Sequence, residues 1–178
     1  RARKKFSLLP CGINLPEIYT RDDARMAMNL LPEKKYVLFA GAFDNEVKNY
    51  SLAKAAMDLV PEAELLELKG YRRQEVNMLM CAADAILMTS FTEGSPQGIK
   101  EAMACGLPVV SVDVGDVSEL TSGVAGCYVC AREPAELAAS VGTAINYGLT
   151  EGRKRILERG LTNDLVAQSI LKIYKSVR

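Results

Sequence analysis

An α/β fold, a Rossmann-like doubly wound parallel sheet, is predicted by three observations. Short apolar runs alternate with amphipathic stretches along the chain. The first of these runs, Lys35–Phe43, is nearly continuous and reads as a buried strand. Turn residues punctuate nearly every junction.

The elements follow in order. Lys35–Phe43 is a buried strand ending in a Gly/Asp/Asn turn. Tyr50–Val60 is a helix with Leu52, Ala53, Ala56, Met57 and Val60 on one face, and Pro61 helps end it. Glu64–Leu68 is a second strand. Gln74–Ala83 is a helix with Val76, Leu79, Met80 and Ala83 inward, and Ala85–Thr89 a third strand. Thr89–Gln97 is a polar loop, Gln97–Cys105 a helix closed by Gly106, and Val109–Val112 a fourth strand after Pro108. A short segment around Glu119–Leu120 precedes the strand Cys127–Cys130. Glu133–Tyr147, Glu151–Arg159 and Asn163–Val177 read as helices, the first with Leu137, Val141, Ala144 and Ile145 inward. About five parallel strands with helices on both faces follow from this order. Ligands in such a sheet sit outside the carboxyl ends of the strands. Here those ends are Phe43–Lys48, Lys69–Arg73, Thr89–Gln97 and Asp113–Ser118.

Composition sets the outer bounds. The 178 residues fit one domain. The chain has no histidine, which excludes Ser-His-Asp or Cys-His catalysis and His-ligated zinc within it. Its formal net charge is zero, against a nucleic-acid partner held by broad electrostatics. Arg1, Arg3, Lys4 and Lys5 form a basic stub, read as a linker end over residues 1–7. No apolar run is long enough for a transmembrane segment. No signal peptide is expected, and the chain does not start with Met. Five cysteines make an odd set that suits a reducing, cytoplasmic setting. Cys127 and Cys130 make a CxxC inside a strand, where packed thiols are the better reading than a redox or zinc site.

Phe91–Val110 carries the strongest functional signal. Ser95 suits an N-cap and Pro96 the first helical position. Gly94 and Gly98 admit a ligand close to the backbone. A helix starting there aims free N–H groups and its positive dipole end at the cleft, a setting for phosphate. Ile99, Ala102, Met103 and Gly106 form the stripe facing the sheet, which leaves Glu101 off that stripe and free to meet a ligand hydroxyl. Glu93 stands on the cleft rim. Carboxylates that accept from vicinal hydroxyls beside an anion-binding helix start suit a nucleotide-sugar. On residue chemistry alone, two solvated glutamates remain an equal alternative.

Glu93 and Glu101, in the setting TEGSPQGIKEAMACGLPVVS, resemble the EX7E motif of retaining glycosyltransferases of the GT-B fold, family 4 type (glycosyl transferases group 1). Other pieces fall in the same order. CGIN (Cys11–Asn14) is similar to the NGVD segment that opens the family's C-terminal, nucleotide-sugar-binding domain. VLFAGAFDNEVKNYSLAKAAM resembles the strand, loop and helix that carry a phosphate-binding lysine. AADAILMTSFTEGS resembles the approach to the motif, VDVGDVSEL the segment after it, and LVAQSILKIYKSV the closing helix, here within residues 162–178. The likeness spans nearly all of residues 8–177.

The resemblance implies roles. Glu93 would contact the donor sugar, with the amides of Gly94, Ser95, Pro96 and Gln97 as its setting; Pro96 itself has no N–H. The amides of Gly98 and Ile99 would approach the diphosphate and Glu101 would hold the ribose. Lys48 would meet the diphosphate beside Gly41 and stabilise the departing nucleoside diphosphate. Gly70, Tyr71 and Arg72 would lie near the base, with Thr89 and Ser90 on the pocket floor. The donor would be a UDP-, GDP- or ADP-sugar, with no cofactor and no metal. The acceptor, a glycan or glycolipid, would be held by an N-terminal domain absent from this chain, through which membrane association could arise; the chain alone would be inactive. Polysaccharide biosynthesis is common in the family. Two departures stand out: Gly41 is followed by Ala42 rather than Arg, with Arg72 and Arg73 as candidate substitutes, and Asn14 replaces Asp. The alternatives are a nucleotide-sugar epimerase-like domain, disfavoured by the absence of histidine, and a non-catalytic binding or interaction module.

Overall fold

A computed structural model describes residues 9–176. The basic stub and the last two residues of the expected closing helix lie outside them.

Five parallel strands, β1 (Lys35–Phe39), β2 (Ala63–Glu67), β3 (Ala85–Met88), β4 (Val109–Val112) and β5 (Cys127–Cys130), form one sheet in the order β2-β1-β3-β4-β5. The helices are α1 (Arg21–Ala27), α2 (Tyr50–Met57), α3 (Arg73–Ala82), α4 (Gln97–Ala104), α5 (Val117–Thr121), α6 (Pro134–Ala144), α7 (Gly152–Glu158) and α8 (Asn163–Ser176). α2 packs on α6 over one face of the sheet, while α1 packs on α3 and α4 on α7 over the other. The expected doubly wound sheet is therefore present; β4 and β5 match the sequence-based bounds, and the ends of the other expected elements lie within four residues of them.

The core follows from the burial of whole strands. Every residue of β3 and β4 is buried, and so are Val37, Leu38 and Phe39 of β1. The inward stripe of α4 (Ile99, Ala102, Met103) is fully buried against them. Cys127 and Cys130, three apart on a strand, point to opposite faces of the sheet. Burial pushes the Cys127 thiol up to about 11 and raises that of Cys130. Both are free thiols, in keeping with packing rather than chemistry.

Helix α1 has no counterpart in the sequence reading. Only Ala24 and Arg25 are buried in it, so it carries no apolar stripe to detect. Its local sign was the cap: Thr20 Oγ1 accepts from Asp23 N at 3.2 Å, with Asp22 and Asp23 in the first turn.

The segment before α1 meets the turn into α8. Ile13 N donates to Leu161 O, Asn163 N to Ile13 O, and Asn163 Nδ2 to Asn14 Oδ1 at 2.7 Å. The CGIN segment is thus stitched to the start of α8. No residue of α8 itself is buried, and no helix among the described residues is long and apolar enough to cross a membrane.

Strand order reverses between β1 and β3, so the crevice outside their carboxyl ends is the topological switch point. The loops that meet there are Ala40–Asn49 and Thr89–Pro96.

Candidate donor site

The first loop is held stiffly. Phe43 stacks on Tyr50 with ring centroids 4.1 Å apart, and Phe43 N donates to Glu67 Oε1. Glu46–Lys48 forms a 3-10 turn capped by Asn45, whose Oδ1 accepts from Val47 N. Asn49 then adopts φ +53, a left-handed conformation that asparagine tolerates better than most residues, and α2 begins.

The two loops are tied at the crevice. Thr89 Oγ1 donates to Lys48 O (2.9 Å) and Asn49 O (3.0 Å), and Phe91 N donates to Val47 O (2.9 Å). With both backbones fixed, Lys48 Nζ donates to Glu93 Oε1 at 2.7 Å. Gly41 permits this: a Cβ there would stand 2.6 Å from Lys48 Cγ.

The second loop is braced from behind. Ser95 Oγ donates to Asp116 Oδ2 at 2.5 Å, and a Cβ on Gly115 would fall 2.5 Å from Gly94 O. Ser95 therefore is not the N-cap expected of it. α4 starts at Gln97, Pro96 is the cap residue, and no side chain caps the helix. The Ser95 hydroxyl is instead turned to Asp116, to which it makes a charge-assisted hydrogen bond. The first-turn N–H groups of α4, at Gln97, Gly98 and Ile99, have no intrahelical partners, and of these residues Gln97 is exposed, Gly98 half-buried and Ile99 buried. Open space lies over both Gly94 and Gly98.

Glu101 corrects a second expectation. It is not free: its side chain is 10% exposed, and Oε1 accepts from Arg73 Nη2 at 2.6 Å. The wheel correctly excluded Glu101 from the sheet-facing stripe. It could not show that α3 and the Asn14–Glu17 segment cover the other side of α4. A cavity of about 310 Å³ remains beside the pair, lined by Asn14, Leu15, Glu17, Arg73, Gln74 and Glu101.

The other expected residues divide. Thr89 and Ser90 are buried under the crevice, and Ser90 Oγ has no hydrogen-bond partner there. Gly70, Tyr71 and Arg72 lie on the loop leading into α3, with Gly70 at φ +83. Tyr71 and Arg72 border a separate depression of about 550 Å³ with Met28 and Glu75, so only the neighbouring Arg73 reaches Glu101. Asp116 was not singled out from the sequence, although it lies in the VDVGDVSEL stretch. Lys100 was likewise missed; it is fully buried and donates from Nζ to Cys11 O at 2.7 Å. Among the described residues, no three His, Cys, Asp or Glu side chains gather where they could hold a metal ion.

The sheet and crevice belong to a common architecture, and sequence comparison decides among its users. The family described as "Glycosyl transferases group 1" matches residues 53–146, more than half of the chain. The chain belongs to the group 1 glycosyl transferases. It is 27% identical over 135 residues to TuaC of Bacillus subtilis (strain 168), described provisionally as a teichuronic acid biosynthesis glycosyltransferase. That match covers 64% of this chain and 35% of TuaC. Among solved structures, sucrose-phosphate synthase from Thermosynechococcus elongatus superposes with a TM-score of 0.80 at 21% identity, covering 96% of this chain and 52% of that one. HepE of Anabaena, in complex with UDP and glucose, superposes with a TM-score of 0.76 at 18% identity, covering 96% and 56%. At these identities the superpositions report the fold, that of the GT-B glycosyltransferases. The chain spans about a third of the length of the curated relative and about half of these solved ones.

Proposed function

We propose that this chain is the donor-binding domain of a retaining glycosyltransferase, which moves a sugar from a nucleoside-diphosphate sugar to a glycan or lipid-linked acceptor. The observation that carries this reading is the Lys48–Glu93 pair at the switch point, set beside the uncapped start of α4. A cation and free N–H groups converge on the place where a leaving diphosphate develops charge. Glu93 exchanges Lys48 for the hydroxyls of the sugar. Glu101 exchanges Arg73 for the ribose hydroxyls, and Lys48 turns to the diphosphate.

Electrostatic stabilisation of the departing nucleoside diphosphate is then supplied by Lys48 and the amides of Gly98 and Ile99, with no step assigned to a metal. The acceptor is held by a second domain outside this chain, and the chain alone does not turn over. The share of each relative that it spans supports this division. The UDP and glucose in the HepE complex support a UDP-sugar among the candidate donors. The relation to TuaC supports a role in building cell-surface polysaccharide.

A thermal-shift titration with UDP, GDP and ADP, each with and without its sugar, tests the reading and names the base. One nucleoside diphosphate should raise the melting midpoint, and Lys48→Ala and Glu101→Ala should each weaken that rise by about tenfold in ligand concentration or more. No response of the parent chain to any nucleotide would favour an interaction module instead.

A further inference from the structure

We infer that Arg132 is a positioning residue for both Lys48 and Glu93. Arg132 follows β5, and β4 lies between that strand and β3. Its side chain nevertheless reaches the carboxyl end of β3. Nη1 donates to Thr89 O at 3.1 Å, and Nη2 donates to Ser90 O at 2.7 Å and to Phe91 O at 3.2 Å. The guanidinium carbon also stands 5.7 Å from the Phe91 ring centroid.

Those three carbonyls are consecutive, and they follow the last ladder residue of β3, Met88. A strand that leaves its sheet needs donors for the carbonyls the ladder no longer serves. One planar guanidinium supplies them here with a fixed fork, which an ammonium cannot match.

The same three residues form the knot of the crevice. On their other side, Thr89 Oγ1 holds the carbonyls of Lys48 and Asn49, and Phe91 N holds Val47 O. Arg132 therefore sets the path of the strand exit from one side, while that exit sets the Lys48 turn on the other. Glu93 lies two residues beyond Phe91. The 2.7 Å approach of Lys48 to Glu93 depends on both placements. The link from Arg132 to the pair stands on geometry; its consequence for ligand binding rests on the donor-site reading above.

Two measurements test it and separate the two claims. Hydrogen exchange on the parent chain and Arg132→Gln should show about tenfold faster exchange at the Phe91 and Asn49 amides, while the β1–β2 ladder stays within about twofold. Unchanged exchange at both amides overturns the inference, whatever the chain binds. Nucleoside diphosphate affinity should fall about tenfold in Arg132→Gln, and millimolar guanidinium ion should restore most of it. The same ion should restore nothing in Lys48→Ala. An unchanged affinity, or a loss that guanidinium does not relieve, also overturns it. A parent chain that binds no nucleotide removes the donor-site reading, and the exchange result still decides the role of Arg132. Should Arg132→Gln fail to fold, Arg132→Lys takes the same exchange measurement. A rise of about threefold is then expected at those two amides, and no rise overturns the inference.

Discussion

Strand β3 carries a charged cluster at each end, and the two are built differently. At the amino end, Asp84 is 1% exposed and accepts from Arg21 (3.1 Å), Arg25 (2.8 Å), Lys35 (3.4 Å) and Tyr36 N (2.9 Å). Arg25 in turn donates to Ala82 O and Pro32 O. The oxygens of Asp84 and most donors of Arg25 have partners within the protein, so nothing is left for a ligand. At the carboxyl end, Glu93 and Lys48 have one another, Ser90 Oγ has no partner, and the first turn of α4 is uncapped. The two ends differ in how much hydrogen-bonding capacity is already used within the protein. The amino end has spent that capacity, and the switch point keeps some of it.

That contrast can be broken by substitution. Asp84→Ala should have the largest effect on stability, a loss of about 3–5 kcal/mol, because it leaves Arg25 buried without its counter-charge. Urea denaturation measures this, and a loss under about 1 kcal/mol would mean that the cluster is not the anchor described here. Lys48→Ala, by the same measurement, should cost no more than about 1 kcal/mol, since the pair at the other end is partly solvated.

Gly41→Ala comes next. Its new Cβ must displace the Lys48 stem, so nucleotide affinity should fall about threefold to tenfold while the urea midpoint barely moves. Unaltered affinity, read by the thermal-shift titration, would show that Lys48 reaches the ligand by another path. Lys54→Ala is the smallest case. Lys54 pairs with Asp58 on the exposed surface of α2 and contacts neither cluster, and its removal should change neither the midpoint nor the affinity measurably.

Much of this arrangement was legible in the residues. Apolar runs identified the buried strands β1, β3 and β4, and the turn residues after the strands identified the carboxyl edge; the edge strands β2 and β5 are only partly buried. Those turn positions put Lys48, Glu93 and the start of α4 at the carboxyl edge. Helix α1 was not legible, because a helix that buries one alanine and one arginine leaves no periodic trace. Ser95 was read as a local cap because capping is a short-range rule. Its actual partner, Asp116, lies 21 residues away.

The sequence by itself determined the alternation of elements, and therefore a parallel sheet with a ligand crevice at one edge, because periodicity and turn chemistry are local properties. It also determined which residue types stood at that edge. Only the tertiary structure decided their pairing. Glu101 met Arg73, Ser95 met Asp116, and Arg132 crossed β4 to reach three carbonyls of the β3 exit. Each of these contacts joins segments whose separation along the chain carries no periodic signal. They form because polar groups removed from water take the partners that packing brings near.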